Sequence, residues 1–150
     1  MAAGLTLDPN GYSLFRAAMK SLGEERLGPE DFDEKISTDG VLSSSDITVE
    51  VASLLHAIGP WGQGFPEPLF EGSFVLINQR ILSDKHLKMT VKVNRNEHPL
   101  DAIAFNFSPG NWQVGDSLNL IYRLGVNDYY ASPRVQLIVE YIEPSKSAIM

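Results

Sequence analysis

The sequence predicts a mainly β fold with N-terminal helices, centred on a five-stranded antiparallel barrel. Three observations predict it. Apolar residues recur at helical spacing only up to Ile58. The stretch Gly59–Pro68, GPWGQGFPEP, then packs three glycines, three prolines, a Trp and a Phe into ten residues. Glycine permits unusual backbone angles and proline freezes φ, and a flexible linker has no need of two large aromatics, so this reads as a rigid, packed connector. From Leu69 onward the apolar period becomes two, in five runs separated by joins rich in Gly, Pro, Asn and Ser. Strand count alone fits several small barrels.

Each element has its own signature. Asp8 to Leu27 reads as a helix capped by Asp8 or Asn10, with Leu14, Phe15, Ala18, Met19 and Leu22 on one face and Gly28-Pro29 as its stop. Residues 30–35 are acidic and exposed, and Lys35 to Leu42 holds a short strand or an extended arm. The SSSD run at Ser43–Asp46 starts a helix over 46–58. Its apolar face is Ile47, Val51, Leu54, Leu55 and Ile58, and Gly59-Pro60 ends it. In the first strand Phe74, Leu76 and Asn78 alternate against Val75, Ile77 and Gln79. In the second, Leu87, Met89, Val91 and Val93 alternate with Lys88, Thr90 and Lys92. Asp101–Phe107 is the third strand. Leu118, Leu120, Tyr122 and Leu124 mark the fourth, and Val135, Leu137, Val139 and Tyr141 the fifth. The expected interior includes Leu87, Met89, Val91, Leu120 and Leu137.

Composition narrows the function classes. The 150 residues suit one domain, or one domain and a fragment of another. No apolar run reaches the roughly 18 residues of a membrane span, and no basic segment precedes an apolar core as in a secretory signal. No membrane partner is therefore expected. The absence of cysteine excludes disulfides, thiolate metal sites and a Cys nucleophile, and is compatible with the cytoplasm. The net charge of −7 is unevenly distributed. Residues 1–67 hold four basic and eleven acidic side chains, whereas residues 68–150 hold eight of each. Within the neutral half, Arg80, Lys85, Lys88, Lys92 and Arg95 cluster around one acid, Asp84. Salt screens charge beyond about 8–10 Å, so such a stripe can bind phosphate on an acidic protein.

The segment KHLKMTVKV is the sharpest local signal. If Leu87, Met89, Val91 and Val93 face the core, then His86, Lys88, Thr90 and Lys92 share the opposite face. Lys88 and Lys92 then lie about 13 Å apart at roughly 3.3 Å per residue. The pattern equally describes a solvated strand face whose lysines oppose edge aggregation. Binding of single-stranded nucleic acid also needs stacking platforms beside the cations. Trp61, Phe65, Trp112, Tyr129 and Tyr130 are the candidates, with Tyr129 and Tyr130 set between Arg123 and Arg134. Trp61 and Trp112 read more simply as plugs of the barrel ends.

Catalytic constellations are missing from the sequence. There is no Asp-His-His cluster, no HExxH and no phosphate-cradling Gly-rich loop followed by Lys. His56, His86 and His98 stand apart from one another and from acids at ligand spacing, and His56 reads as a helix-surface residue.

GPWGQGFPEP, HLKM at His86–Met89, DAIAFNF at Asp101–Phe107 and VQLIVEYI at Val135–Ile142, in this order, resemble the C-terminal part of the RecJ family. RecJ proteins are bacterial exonucleases specific for single-stranded DNA. MAAGLTL at Met1–Leu7 resembles the family stretch that follows a Gly-Gly-His motif. The chain departs from the family at Phe65, where many members carry Asn, and at Ala131, where Gly is common. The resemblance implies that the barrel is OB-like and spans residues 35–150, with a helix at 46–58 and the connector at 59–68. Residues 1–34 become the helical tail of a truncated preceding domain. It implies a single-stranded-DNA-binding region of a 5′→3′ exonuclease of DNA repair and recombination. Manganese or magnesium belongs to the parent's missing catalytic domain, so this chain alone is expected to be inactive and to hold no cofactor. The implied DNA contacts are Arg80, Lys85, His86, Lys88, Lys92, Arg95, Arg123, Tyr129, Tyr130 and Arg134. Implied partners are single-stranded DNA, the parent's N-terminal domains and single-strand-binding protein. A protein-interaction module docking such a partner is the alternative.

Overall fold

The structure is a computed structural model that describes residues 4–32, 35–83, 85–94, 97–107, 110–129 and 131–145. It divides into two units, Met1–Ile36 and Ser37–Met150. In the first, Asp8 accepts a hydrogen bond from the Asn10 backbone N–H at 2.8 Å and opens a 3-10 turn, Pro9–Gly11, which leads into helix α1, Tyr12–Arg26. The expected continuous helix thus begins with a tighter turn. Proline at its first position fits because that turn's first N–H has no helical partner to lose. No α1 residue is buried, and Leu14, Met19 and Leu22 are exposed.

In the second unit the Ser43–Asp46 run does not start the helix. The Ser43 hydroxyl donates to Asp46 Oδ2 at 2.6 Å and the Asp46 N–H donates to the Ser43 carbonyl, closing a separate turn. With that carboxylate engaged, Thr48 takes over as the cap, its hydroxyl accepting from the Val51 N–H at 3.3 Å. Helix α2 is therefore Val49–Ile58. Its buried side centres on Ala52, with Val51 and Leu55 packed partly against the core, while Leu54 and Ile58 are exposed. Ile47 is buried ahead of the helix. The connector after it is self-packed. Gly62 and Phe65 exchange both backbone hydrogen bonds, and the rings of Trp61 and Phe65 lie 4.8 Å apart.

Five strands follow: β1 Phe70–Leu82, β2 His86–Lys92, β3 Leu100–Ala104, β4 Ser117–Asn127 and β5 Arg134–Pro144. They close a barrel in the order β1-β2-β3-β5-β4. All neighbours are antiparallel except β3 and β5, whose short parallel seam closes the barrel. Leu76, Leu87, Met89, Val91, Leu118, Leu120, Tyr122 and Leu137 are the largest fully buried side chains, and the five expected interior residues are among them. Tyr122 packs between Phe70 and Phe74. Trp112 joins this core and donates its indole N–H to Gln79 Oε1 at 2.9 Å. A Cβ on Gly110 would stand 2.0 Å from Trp112 Cζ3, so the chain beside that ring has no room for a side chain.

Two register shifts break the strict alternation. In the β4–β5 pair Tyr122 opposes Val139 while Ile121 opposes Tyr141. The extra residue turns Tyr141 outward and Ile142 inward, contrary to the sequence expectation for Tyr141. In β1 the shift between Leu76 and Asn78 turns Gln79 toward Trp112 and sends Asn78 outward, again reversing the expected faces.

Two measurements check this core. Urea unfolding of Ile142→Ala should show a loss of about 2–4 kcal/mol, against less than about 1 kcal/mol for Tyr141→Ala. Burial raises the Tyr122 pKa from 10.0 to about 12. The folded state therefore keeps a proton that the unfolded chain releases, so this contribution is complete below pH 10 and is lost as pH rises to about 12. It is on the order of 2–3 kcal/mol. Chemical denaturation across that window should show the decline, and Tyr122→Phe should flatten it.

Candidate nucleic-acid interface

The β1 bulge builds the site. Beyond it, Asn78 and Arg80 project to the outer surface and pair in register with Thr90 and Lys88 of β2. Those β2 residues stand opposite Asp101 and Ile103 of β3, which in turn stand opposite Gln136 and Ile138 of β5. Two rows therefore cross the outer surface: Asn78–Thr90–Asp101–Gln136 and Arg80–Lys88–Ile103–Ile138. Between them lies a groove of about 240 Å³, open to solvent and lined by Asn78, Arg80, Lys88, Met89, Thr90 and Asp101. His86 and Lys92 extend the β2 face at its two ends, and Lys85 is exposed in the β1–β2 loop.

The cations on this face differ in their surroundings. Lys88 Nζ lies 3.7 Å from Asp101 Oδ2, and the two side chains are only 15% and 22% exposed. That places a carboxylate inside the basic stripe. Sequence reasoning missed it, because cross-strand register is not written in local spacing. Arg80 is exposed, and no carboxylate among the described residues pairs with it. His86 accepts a hydrogen bond at Nδ1 from the Asn106 backbone N–H at 3.2 Å. Beside it stands Phe105, exposed and absent from the sequence-derived candidates. Continuing the β3 alternation past Ala104 would have placed it on this face.

The remaining sequence candidates fall elsewhere. Arg123 leaves β4 opposite Ile138, on the far side of β5 from the groove. Its guanidinium bonds Glu67 Oε2 of the connector at 3.1 Å and also donates to Glu140 of β5. Burial lowers its pKa, but the hydrogen bonds and charges of Glu67 and Glu140 outweigh that and hold it above the ordinary value. The arrangement ties the connector to the barrel wall. Arg134 opens β5 opposite Asn127, and Tyr129 is almost fully exposed in the β4–β5 loop, its N–H held by Asn127 Oδ1 at 3.0 Å. Arg95 and Tyr130 lie outside the described residues. No three His, Cys, Asp or Glu among the described residues are placed to hold a metal ion, so no metal-dependent step is assigned to them. Nor is any helix among them long and apolar enough to cross a membrane.

A five-stranded barrel in this order, with a grooved outer surface over β2 and β3, defines an oligonucleotide-binding-type fold. The family described as the RecJ OB domain matches residues 38–141, and the chain belongs to that family. It is 39% identical over 146 residues to the single-stranded-DNA-specific exonuclease RecJ of Escherichia coli K12, covering 96% of this chain and 25% of that protein. The Bacillus subtilis protein of the same name is 26% identical over 152 residues, covering 93% and 18%. The crystal structure of Thermus thermophilus RecJ in complex with Mn²⁺ superimposes with a TM-score of 0.70 at 17% identity, covering 96% of this chain and 21% of that one. A second T. thermophilus structure is a complex with Mg²⁺. The chain thus spans about a quarter of the length of the E. coli relative.

The Arg123 bridge can be measured directly. A double-mutant cycle of Arg123→Ala with Glu140→Ala, read by urea unfolding, should give a coupling of about 0.5–1 kcal/mol that shrinks in high salt, as befits a half-exposed pair.

Proposed function

We propose that this barrel is the single-stranded-DNA-binding part of a RecJ-like 5′→3′ exonuclease of DNA repair and recombination, working in the cytoplasm. The outer face of β1, β2 and β3 holds the strand. The carrying observation is the groove in which the β1 bulge sets Arg80 beside Lys88, with His86 and Lys92 continuing the same strand face. Barrels of this class bind oligonucleotides over strands 2 and 3 and the loops β1–β2 and β4–β5. Lys85 belongs to the first loop and Tyr129 to the second, with Arg134 at the start of β5 where that loop ends. Arg123 serves the connector rather than the strand. Bond cleavage, with manganese or magnesium, belongs to another domain of the parent protein. The barrel adds affinity and takes no part in the chemistry.

A second reading, docking of a protein such as single-strand-binding protein, is supported by a different surface. Val41 and Tyr141 are exposed beside a groove over β1, β4 and β5, together with Glu71 and Glu143. Such a protein would engage that surface and leave the β2 face to DNA.

Titration with oligo-dT at several salt concentrations tests the DNA reading. Each phosphate contact on a single strand contributes a slope of about −0.7 in log K against log salt. Lys88→Ala combined with Lys92→Ala should weaken binding about equally across sequences and flatten the slope by roughly 1–1.5. Asp101→Asn should strengthen binding, because it removes the carboxylate beside Lys88. Unchanged affinity and slope in the double lysine variant would make this strand an ordinary solvated face.

A further inference from the structure

Phe105 follows directly on the last residue of β3 and is 53% exposed. Its ring meets His86 edge-on, with centroids 5.2 Å apart and planes at 75°. The turn that carries it is fixed from several sides. Asn106 adopts φ 54°, a left-handed conformation that Asn takes more readily than most non-glycine residues and that reverses the chain after Phe105. Its N–H is bonded to His86 Nδ1, and the next N–H, of Phe107, donates to the Lys85 carbonyl at 2.9 Å. An exposed apolar ring is common on protein surfaces. One backed edge-on by a histidine at the end of a basic strand face offers a stacking surface for which part of the ordering that binding requires is already in place.

We propose that Phe105 is a base-stacking platform for single-stranded nucleic acid, and that His86 is the positioning residue that aligns it. This rests on the DNA-binding reading above. Phosphates along Arg80 and Lys88 leave a neighbouring base over the β2–β3 end, where Phe105 stands. A paired base keeps its faces stacked within the duplex, so the platform selects unpaired strands. Stacking releases no counterions and therefore acts on affinity without touching the salt dependence.

Fluorescence anisotropy of the whole chain, with oligo-dT and an abasic oligomer of equal length at several salts, tests this. Phe105→Ala should weaken oligo-dT binding roughly 5- to 100-fold, leave the salt slope unchanged and leave abasic binding unchanged. Phe105→Trp should retain affinity, with indole fluorescence quenched by oligo-dT and not by the abasic strand. His86→Ala should weaken oligo-dT more than it weakens the abasic strand, while His86→Asn, whose Oδ1 can accept the Asn106 N–H, should recover most of that base-dependent loss. Wild-type affinity for oligo-dT in Phe105→Ala, or an equal loss on the abasic strand, overturns the platform. If the double lysine variant still loses affinity in that case, the DNA face stands and only the platform falls. Unchanged binding in the lysine variant overturns the face and the platform together.

Discussion

Strand β1 changes partner at Val75, pairing with β4 through its first half and with β2 through its second. One long strand thus belongs to both sides of the barrel, and it must bend to do so. A regular pleat resists that bend. A bulge supplies it by adding one residue and raising the local twist. The shift between Leu76 and Asn78 is that device, and it comes just after the change of partner. It has two consequences at once. Gln79 turns inward to meet the Trp112 indole, closing the barrel end, and Arg80 turns outward to stand beside Lys88. Core closure and the cationic groove are therefore products of a single inserted residue.

Electrostatics follow from the same topology. The acidic half of the chain and the basic stripe are separate in sequence, yet carboxylates from several elements reach the barrel wall. Glu67 and Glu140 take up Arg123, and Asp101 takes up part of Lys88. Two cations of similar appearance in sequence thus acquire different tasks. Arg123 fastens the connector to the barrel, whereas Arg80 faces the solvent over the groove. The Gly/Pro connector is packed through its own Trp61–Phe65 contact and tied to the barrel by this bridge.

Much of this was legible beforehand. Period-two spacing located five strands, and Leu87, Met89, Val91, Leu120 and Leu137 are as buried as that spacing requires. His86, Lys88 and Thr90 share a face because side chains alternate along any strand. The expectation failed where one residue was added to a strand, at Asn78 and at Tyr141, because a bulge inverts every later side chain without changing composition. It failed at the start of α2 because Asp46 was already bonded to Ser43, which left Thr48 to cap the helix. The outward position of Phe105 follows from the β3 alternation, whereas its contact with His86 on the neighbouring strand is set only by register.

The sequence by itself determined the element types, the five-strand count, the interior of β2, the lack of cysteine chemistry and the presence of a basic stripe. These depend on periodicity and residue type over a few positions, where backbone geometry leaves little choice. Tertiary structure alone decided which cations lie together, which are held by carboxylates, and where the parallel seam between β3 and β5 closes the barrel. Those outcomes depend on strand pairing and on contacts between residues as far apart as Glu67 and Arg123, and both are fixed by how the whole core packs.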